Sequence, residues 1–191
     1  MVATLVVMFD FGGSDGTPGT QQDTSGLGPP NLRFKDADDA TINLVNPLVI
    51  PPSGTKYSRW KHVYLKCTVA PNTQIDNIRF YTDGGGFGTG ITLKVGLQFP
   101  VKNSGANTGY EVAGTADEEL VASHVGITSS ADAFGYTSGA PLTGPTISEA
   151  GSIINATNET TNYQLFQLEV ASTASPGNLA DETVTWVYDE I

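Results

Sequence analysis

The chain has 191 residues, among them 22 Gly, 11 Pro and a single Cys, and carries a net charge of −11. Gly and Pro together make up about 17% of it against an average near 12%, and charged residues are 15% against about 25%. This excludes a coiled coil, a helical bundle and a disordered tail, and it suits one β-rich domain over residues 1–191 with many turns.

The charge is uneven. Residues 1–102 hold all nine Lys and Arg against eight acids, whereas residues 103–191 hold twelve acids and no Lys or Arg. An acidic surface repels phosphate and anionic lipid, so neither nucleic acid nor a membrane is expected as a partner. The acidic half reads either as a solubilising surface or as a face that docks on a basic partner or on the basic half of a sister subunit. No apolar run approaches the ~20 residues of a membrane span. Met1–Phe9 is apolar but has no basic start and meets Asp10, so no export signal is expected. The sequons at Asn155 and Asn158 are then chance matches in an Asn/Thr-rich loop.

In chain order, residues 2–9 (VATLVVMF) read as a strand. Residues 12–30 contain six Gly and three Pro and read as an extended loop or arm fixed by contact with another subunit. Residues 31–36 alternate, and 41–50 are strand-like, with Pro47 marking an edge or bulge. Residues 57–69 make the longest strand, with Arg59, Lys61, Val63, Leu65, Cys67 and Val69 on one face and Trp60, His62, Tyr64 and Lys66 on the other. Residues 75–82 form another strand, and Asp83–Gly90 reads as a flexible hairpin lacking the Lys-Ser/Thr of a phosphate loop. Residues 91–99 alternate most clearly, with Ile91, Leu93, Val95, Leu97 and Phe99 on one side. Residues 103–160 read as a loop-rich insertion with short strands, in which Thr115–Glu118 fits a capping box for a short helix near 116–123. Strands return at 162–171 and 183–188. The sum is an all-β, two-sheet antiparallel sandwich, jelly-roll-like, with eight or nine strands and at most one short helix.

No catalytic motif appears, and the chain is read as a non-enzyme. His62 and His124 have no partner at metal-ligand spacing. Asp36, Asp38 and Asp39 cluster hard oxygen ligands in one turn and are weak calcium candidates, although the EF-hand Gly and Glu positions are Thr41 and Pro47. No other cofactor is implied. Asp76, Glu169 and Asp189 are the acids placed in or after strands beside aromatics, as a glycoside hydrolase would need. Cys67 lies on an apolar strand face, where a buried, inert thiol is expected. The most suggestive group is Trp60, His62, Tyr64 and Lys66 with Arg59 and Lys61, since aromatics beside cations suit an interface. The same aromatics could instead cover the second side of the sheet, with the cations at its rim. With Tyr81, Trp60 and Tyr64 would also make a sugar platform.

The stretches Tyr57-Ser-Arg-Trp-Lys-His-Val-Tyr-Leu-Lys-Cys67, Asn77-Ile-Arg-Phe-Tyr-Thr-Asp-Gly84 and Thr185-Trp-Val-Tyr-Asp-Glu-Ile191 resemble small β-sandwich virion proteins of tailed bacteriophages. The resemblance implies a structural role in the virion as a capsid decoration or minor capsid protein. Its partners would be copies of itself, as a trimer or other homo-oligomer, and a major capsid or tail protein. The alternatives are a carbohydrate-binding β-sandwich module and a tail-associated adhesion protein.

Overall fold

The structure, a computed structural model, describes residues 2–24, 32–40, 45–102, 109–114, 117–144 and 154–191. In chain order the strands among them are β1 (Thr4–Ser14), β2 (Thr17–Asp23), β3 (Thr55–Tyr57), β4 (Lys61–Val69), β5 (Ile75–Thr82), β6 (Ile91–Gly96), β7 (Ser130–Asp132), β8 (Leu142–Thr143), β9 (Gln164–Ala171) and β10 (Val184–Glu190). A single helical turn, α1 (Leu120–Ser123), and a 3-10 turn at Ala133–Gly135 complete the elements. One sheet runs β2-β1-β4-β9-β6-β7, with β3 also paired to β9; the other runs β10-β5-β8. All pairings are antiparallel, so the expected two-sheet sandwich forms, with unequal sheets of seven and three strands that do not close.

The period-2 pattern explains the inner layer. Phe9, Val63, Leu93, Val95, Phe166, Leu168 and Val170 of the large sheet point inward and meet Phe80 of the small one. Burying each such side chain contributes about 1.5–3 kcal/mol. A second apolar cluster, of Ala3, Leu65, Cys67, Ile75, Ile78 and Ile154, lies between β1, β4 and β5. There Tyr188 donates to the Ala3 carbonyl (3.3 Å) and the Ala3 N–H donates to Glu190 (2.9 Å), tying the two sheets together.

Several expectations are corrected. The 12–30 arm is a strand over 17–23, because Asp15-Gly16 makes a two-residue turn that pairs Ser14 with Thr17. Gly16 takes φ +73° there, and Gly13 and Gly19 let the two strands touch: a Cβ on Gly13 would stand 2.3 Å from the Thr17 carbonyl oxygen. Residues 25–30 lie outside the described residues. Residues 32–36 and 45–50 are not strands, and 41–44 lie outside the described residues. The long 57–69 strand breaks at 58–60, where the Ser58 hydroxyl accepts from Leu168 N–H in place of a regular ladder. Asp83–Gly90 is a crossover from the small sheet to the large one, not a hairpin. Of the expected helix near 116–123 only Leu120–Ser123 is helical, with Glu119 before it and no side-chain cap. Thr115, the expected capping residue, lies outside the described residues, and Glu118 accepts from Gly114 N–H.

Candidate functional site

Over β4 and the first half of β9 the outer face of the large sheet is not open to solvent. Trp60, Tyr64, Tyr163 and Leu165 pack there under a cover made by Tyr110, Ala113, Leu120 and Ile127. The cover is stitched down at several points. Gln167, buried on β9, donates to the carbonyls of Ser58 (2.8 Å) and Glu118 (2.7 Å) and accepts from Leu120 N–H (2.8 Å). Trp60 Nε1 also donates to the Glu118 carbonyl, and the Arg59 guanidinium donates to that of Ala113. The β1–β2 turn holds the other end: Tyr110 donates to the Gly12 carbonyl (2.6 Å), and Asp15 accepts from Val112 N–H (2.9 Å).

Beneath the cover sits a set of ionisable groups. Lys102 Nζ lies 2.8 Å from Asp10 Oδ2, with side chains 5% and 0% exposed. Tyr163 bridges them: its hydroxyl donates to Asp10 Oδ2 (2.5 Å) and accepts from Lys102 Nζ (3.3 Å). The ammonium also stands 4.1 Å from the centre of the Tyr64 ring, an attractive arrangement for a cation. Asp10 Oδ1 is buried and accepts no hydrogen bond. Burial, reinforced by the Asp10 charge, raises the Tyr64 and Tyr163 hydroxyls well above the ordinary tyrosine range. Both are therefore neutral at any physiological pH; Tyr163 donates to Asp10, whereas the Tyr64 hydroxyl has no hydrogen-bond partner.

The two histidines, about sixty residues apart in sequence, meet here with ring centres 5.7 Å apart. Burial, then the neighbouring His124, Lys61 and Lys102 charges, hold His62 well below its ordinary value. Burial also lowers His124, against the pull of Glu111. Neutral rings fit the hydrogen bonds: His62 Nε2 accepts from Glu111 N–H (3.4 Å), and His124 Nδ1 accepts from Gly126 N–H (3.0 Å).

The residues expected to form an exposed interface or sugar platform are thus interior ones. Trp60, His62, Tyr64 and Lys61 are each under 5% exposed, because both faces of β4 are covered. Lys61 reaches the Asp39 carbonyl (3.2 Å), and burial lowers its ammonium's pKa. Arg59 and Lys66 are half-buried. Tyr81 lies in the other sheet, so no three-aromatic platform exists. The candidate calcium ligands turn apart: Asp39 to Lys35 (2.7 Å), Asp36 to Lys56 (3.5 Å) and Asp38 to Gly12 N–H (2.7 Å). Among the described residues no group of three such side chains is placed to hold a metal. Of the candidate hydrolytic acids, Glu169 lies apart from the other two. Asp76 and Asp189 are register partners on the small sheet, with Asp189 held by Arg79 (2.6 Å), while Glu169 pairs with Lys94 on the large one. Cys67 is buried as expected, its thiol donating to the Val69 carbonyl.

Sequence reasoning passed over Lys102, Tyr110, Tyr163 and Gln167, and weighed Asp10 only as a weak cation ligand with Asp15 and Asp23. One signal was available: Asp10 stands between Phe9 and Phe11, a carboxylate inside an apolar strand.

The space between the sheets differs in kind. A cavity of about 1180 Å³ opens there, lined by Leu5, Val7, Phe34, Leu168 and Trp186 among others. Arg33 also lines it, with a buried Nε that has no hydrogen-bond partner. Val49 and Leu179, both exposed, stand at its margin.

Compared with protein-family models, curated proteins and solved structures, the chain matches none.

Proposed function

We propose that this chain is a non-enzymatic structural protein of a virion, a decoration or minor shell component that works by subunit contact. The observation that carries this reading is where the charges go. Lys35, Lys61 and Lys102 are each under 5% exposed, and Lys56, Arg79 and Lys94 are paired with acids. Most basic side chains are thus buried or neutralised, and excess acids lie on the exterior, with Asp15, Asp83, Glu119, Asp132 and Asp181 all exposed. Such a surface suits docking onto a basic lattice partner, and it makes contact between copies dependent on salt. Light scattering from low to high salt tests it. The reading expects a defined homo-oligomer that grows in population as salt screens the acidic faces. A monomer at every salt and protein concentration overturns self-assembly.

The cavity between the sheets supports a second reading, as a carrier of an apolar ligand with an anionic head. Its volume exceeds the roughly 300–1,000 Å³ of ordinary small-molecule sites. Arg33 supplies the one guanidinium on its wall. Native mass spectrometry of the purified protein, incubated with a long-chain fatty acid, would show a stoichiometric adduct that Arg33→Gln weakens.

A further inference from the structure

We infer that Lys102 and Asp10 condense to an amide, giving the folded protein an internal covalent cross-link between β1 and the segment that follows β6. Three observations lead there. The amine and the carboxylate are already at 2.8 Å, in a pocket that excludes water from both. Tyr163 touches both partners at once, accepting from Lys102 Nζ and donating to Asp10 Oδ2, so it is a ready path for protons from nitrogen to oxygen. The carboxylate is also held asymmetrically. Oδ2 takes the bonds from Lys102 and Tyr163, while Oδ1 takes none.

That asymmetry distinguishes the two oxygens. A proton passes from the ammonium through the Tyr163 hydroxyl to Oδ2, leaving a neutral amine against a carboxylic acid. The nitrogen lone pair forms a bond to the carboxyl carbon, and the π electrons move onto Oδ1. A second proton follows the same path from nitrogen to Oδ2, the carbon–Oδ2 bond breaks, and water departs. Oδ1 re-forms the carbonyl, and the third proton stays on the amide nitrogen. One positive and one negative charge are lost together, nothing is oxidised or reduced, and no co-reactant is required. The rings of Tyr64 and Tyr163 flank the pair, and exclusion of water favours condensation over hydrolysis. Holding amine and acid in contact replaces an encounter in solution and so removes much of the entropic part of the barrier. Tyr163 is here the positioning and relay group, and Lys102 and Asp10 are the reacting ones.

The test is the intact mass of the purified full chain after incubation at neutral pH, followed by fragmentation of its peptides. The expected result is a mass lower than the sequence mass by one water, with a branched peptide joining Lys102 to Asp10. The sequence mass unchanged overturns the proposal. So does a loss of water that hydroxylamine converts to a hydroxamate, since that marks a succinimide at Asp10. Lys102→Arg keeps the charge and must retain the full mass. Tyr163→Phe keeps the ring packing and breaks the proton path, so its loss of water should slow at least tenfold. Cross-linking at the unaltered rate in this variant overturns the role of Tyr163.

Discussion

The two faces of strand β4 are both buried, yet they are buried in different ways. Val63 and Leu65 face the small sheet across an apolar space that retains about 1180 Å³ of volume. His62 and Tyr64 face a loop cover where tyrosines, histidines, Asp10 and Lys102 fill the space and bond one another. An apolar layer tolerates looseness, because most of its lining demands no partner, the buried Arg33 Nε excepted. In the polar layer Asp10, Lys102, Tyr110 and Tyr163 are held by specific bonds, while the unpaired Asp10 Oδ1, Tyr64 hydroxyl and His124 Nε2 each cost about 1–3 kcal/mol. The rigid part of this sandwich is therefore its outer face, and the adaptable part is the gap between its sheets.

The largest expected break in that contrast is at the buried ion pair. Against the wild-type chain with this pair still uncondensed, Lys102→Met leaves the Asp10 carboxylate unpaired and should cost about 3–5 kcal/mol in denaturant unfolding. The paired replacement Asp10→Leu with Lys102→Met should recover a large part of that loss. Next comes the response to added volume. Leu165→Phe overpacks the outer face and should cost about 1–3 kcal/mol, whereas Leu168→Phe grows into the gap and should cost less than about 1.5 kcal/mol. Equal penalties at the two sites would mean that the faces do not differ in packing.

Acid sharpens the comparison further. His62 and His124 are lowered by burial, so the unfolded chain binds protons that the folded chain does not. Stability is fully present above the ordinary histidine value of 6.5 and falls as pH drops below it. The slope approaches about 1.4 kcal/mol per pH unit for each histidine. Thermal or denaturant unfolding between pH 7 and 5 should show this loss, and His62→Gln should flatten it. The smallest effect belongs to the turn that anchors the cover. Gly16→Ala meets no neighbour and should cost about 1 kcal/mol for its left-handed backbone. Gly13→Ala meets the Thr17 carbonyl and should cost more.

Much of the inner layer was legible. The alternation over 91–99 put Ile91, Leu93, Val95, Leu97 and Phe99 on one side, and Leu93 and Val95 are buried there. Ile91, at the start of β6, and Leu97 and Phe99, beyond its end at Gly96, are half-buried. In the strand expected at 162–171, Phe166, Leu168 and Val170 are buried. The β1–β2 hairpin was legible too, since Asp15-Gly16 is a hairpin dipeptide, but the surrounding Gly and Pro masked it as a loop. The segments at 32–36 and 45–50 show the opposite failure. Their alternation is real, and Leu32, Phe34, Leu48 and Ile50 do pack on the inner core, yet no strand pairs with them.

What the sequence by itself determined is which residues share a face, because a side chain's direction in a strand follows from local geometry alone. It determined the apolar inner surface and the polar, aromatic character of the outer one. Only the tertiary structure decided that the outer surface would be covered. It also decided that Asp10 would meet Lys102, ninety-two residues away, and that His62 would meet His124. Periodicity carries no information about what lies opposite a face. That is set by the path of the connecting loops and by the need of each buried donor, acceptor and charge to find a partner.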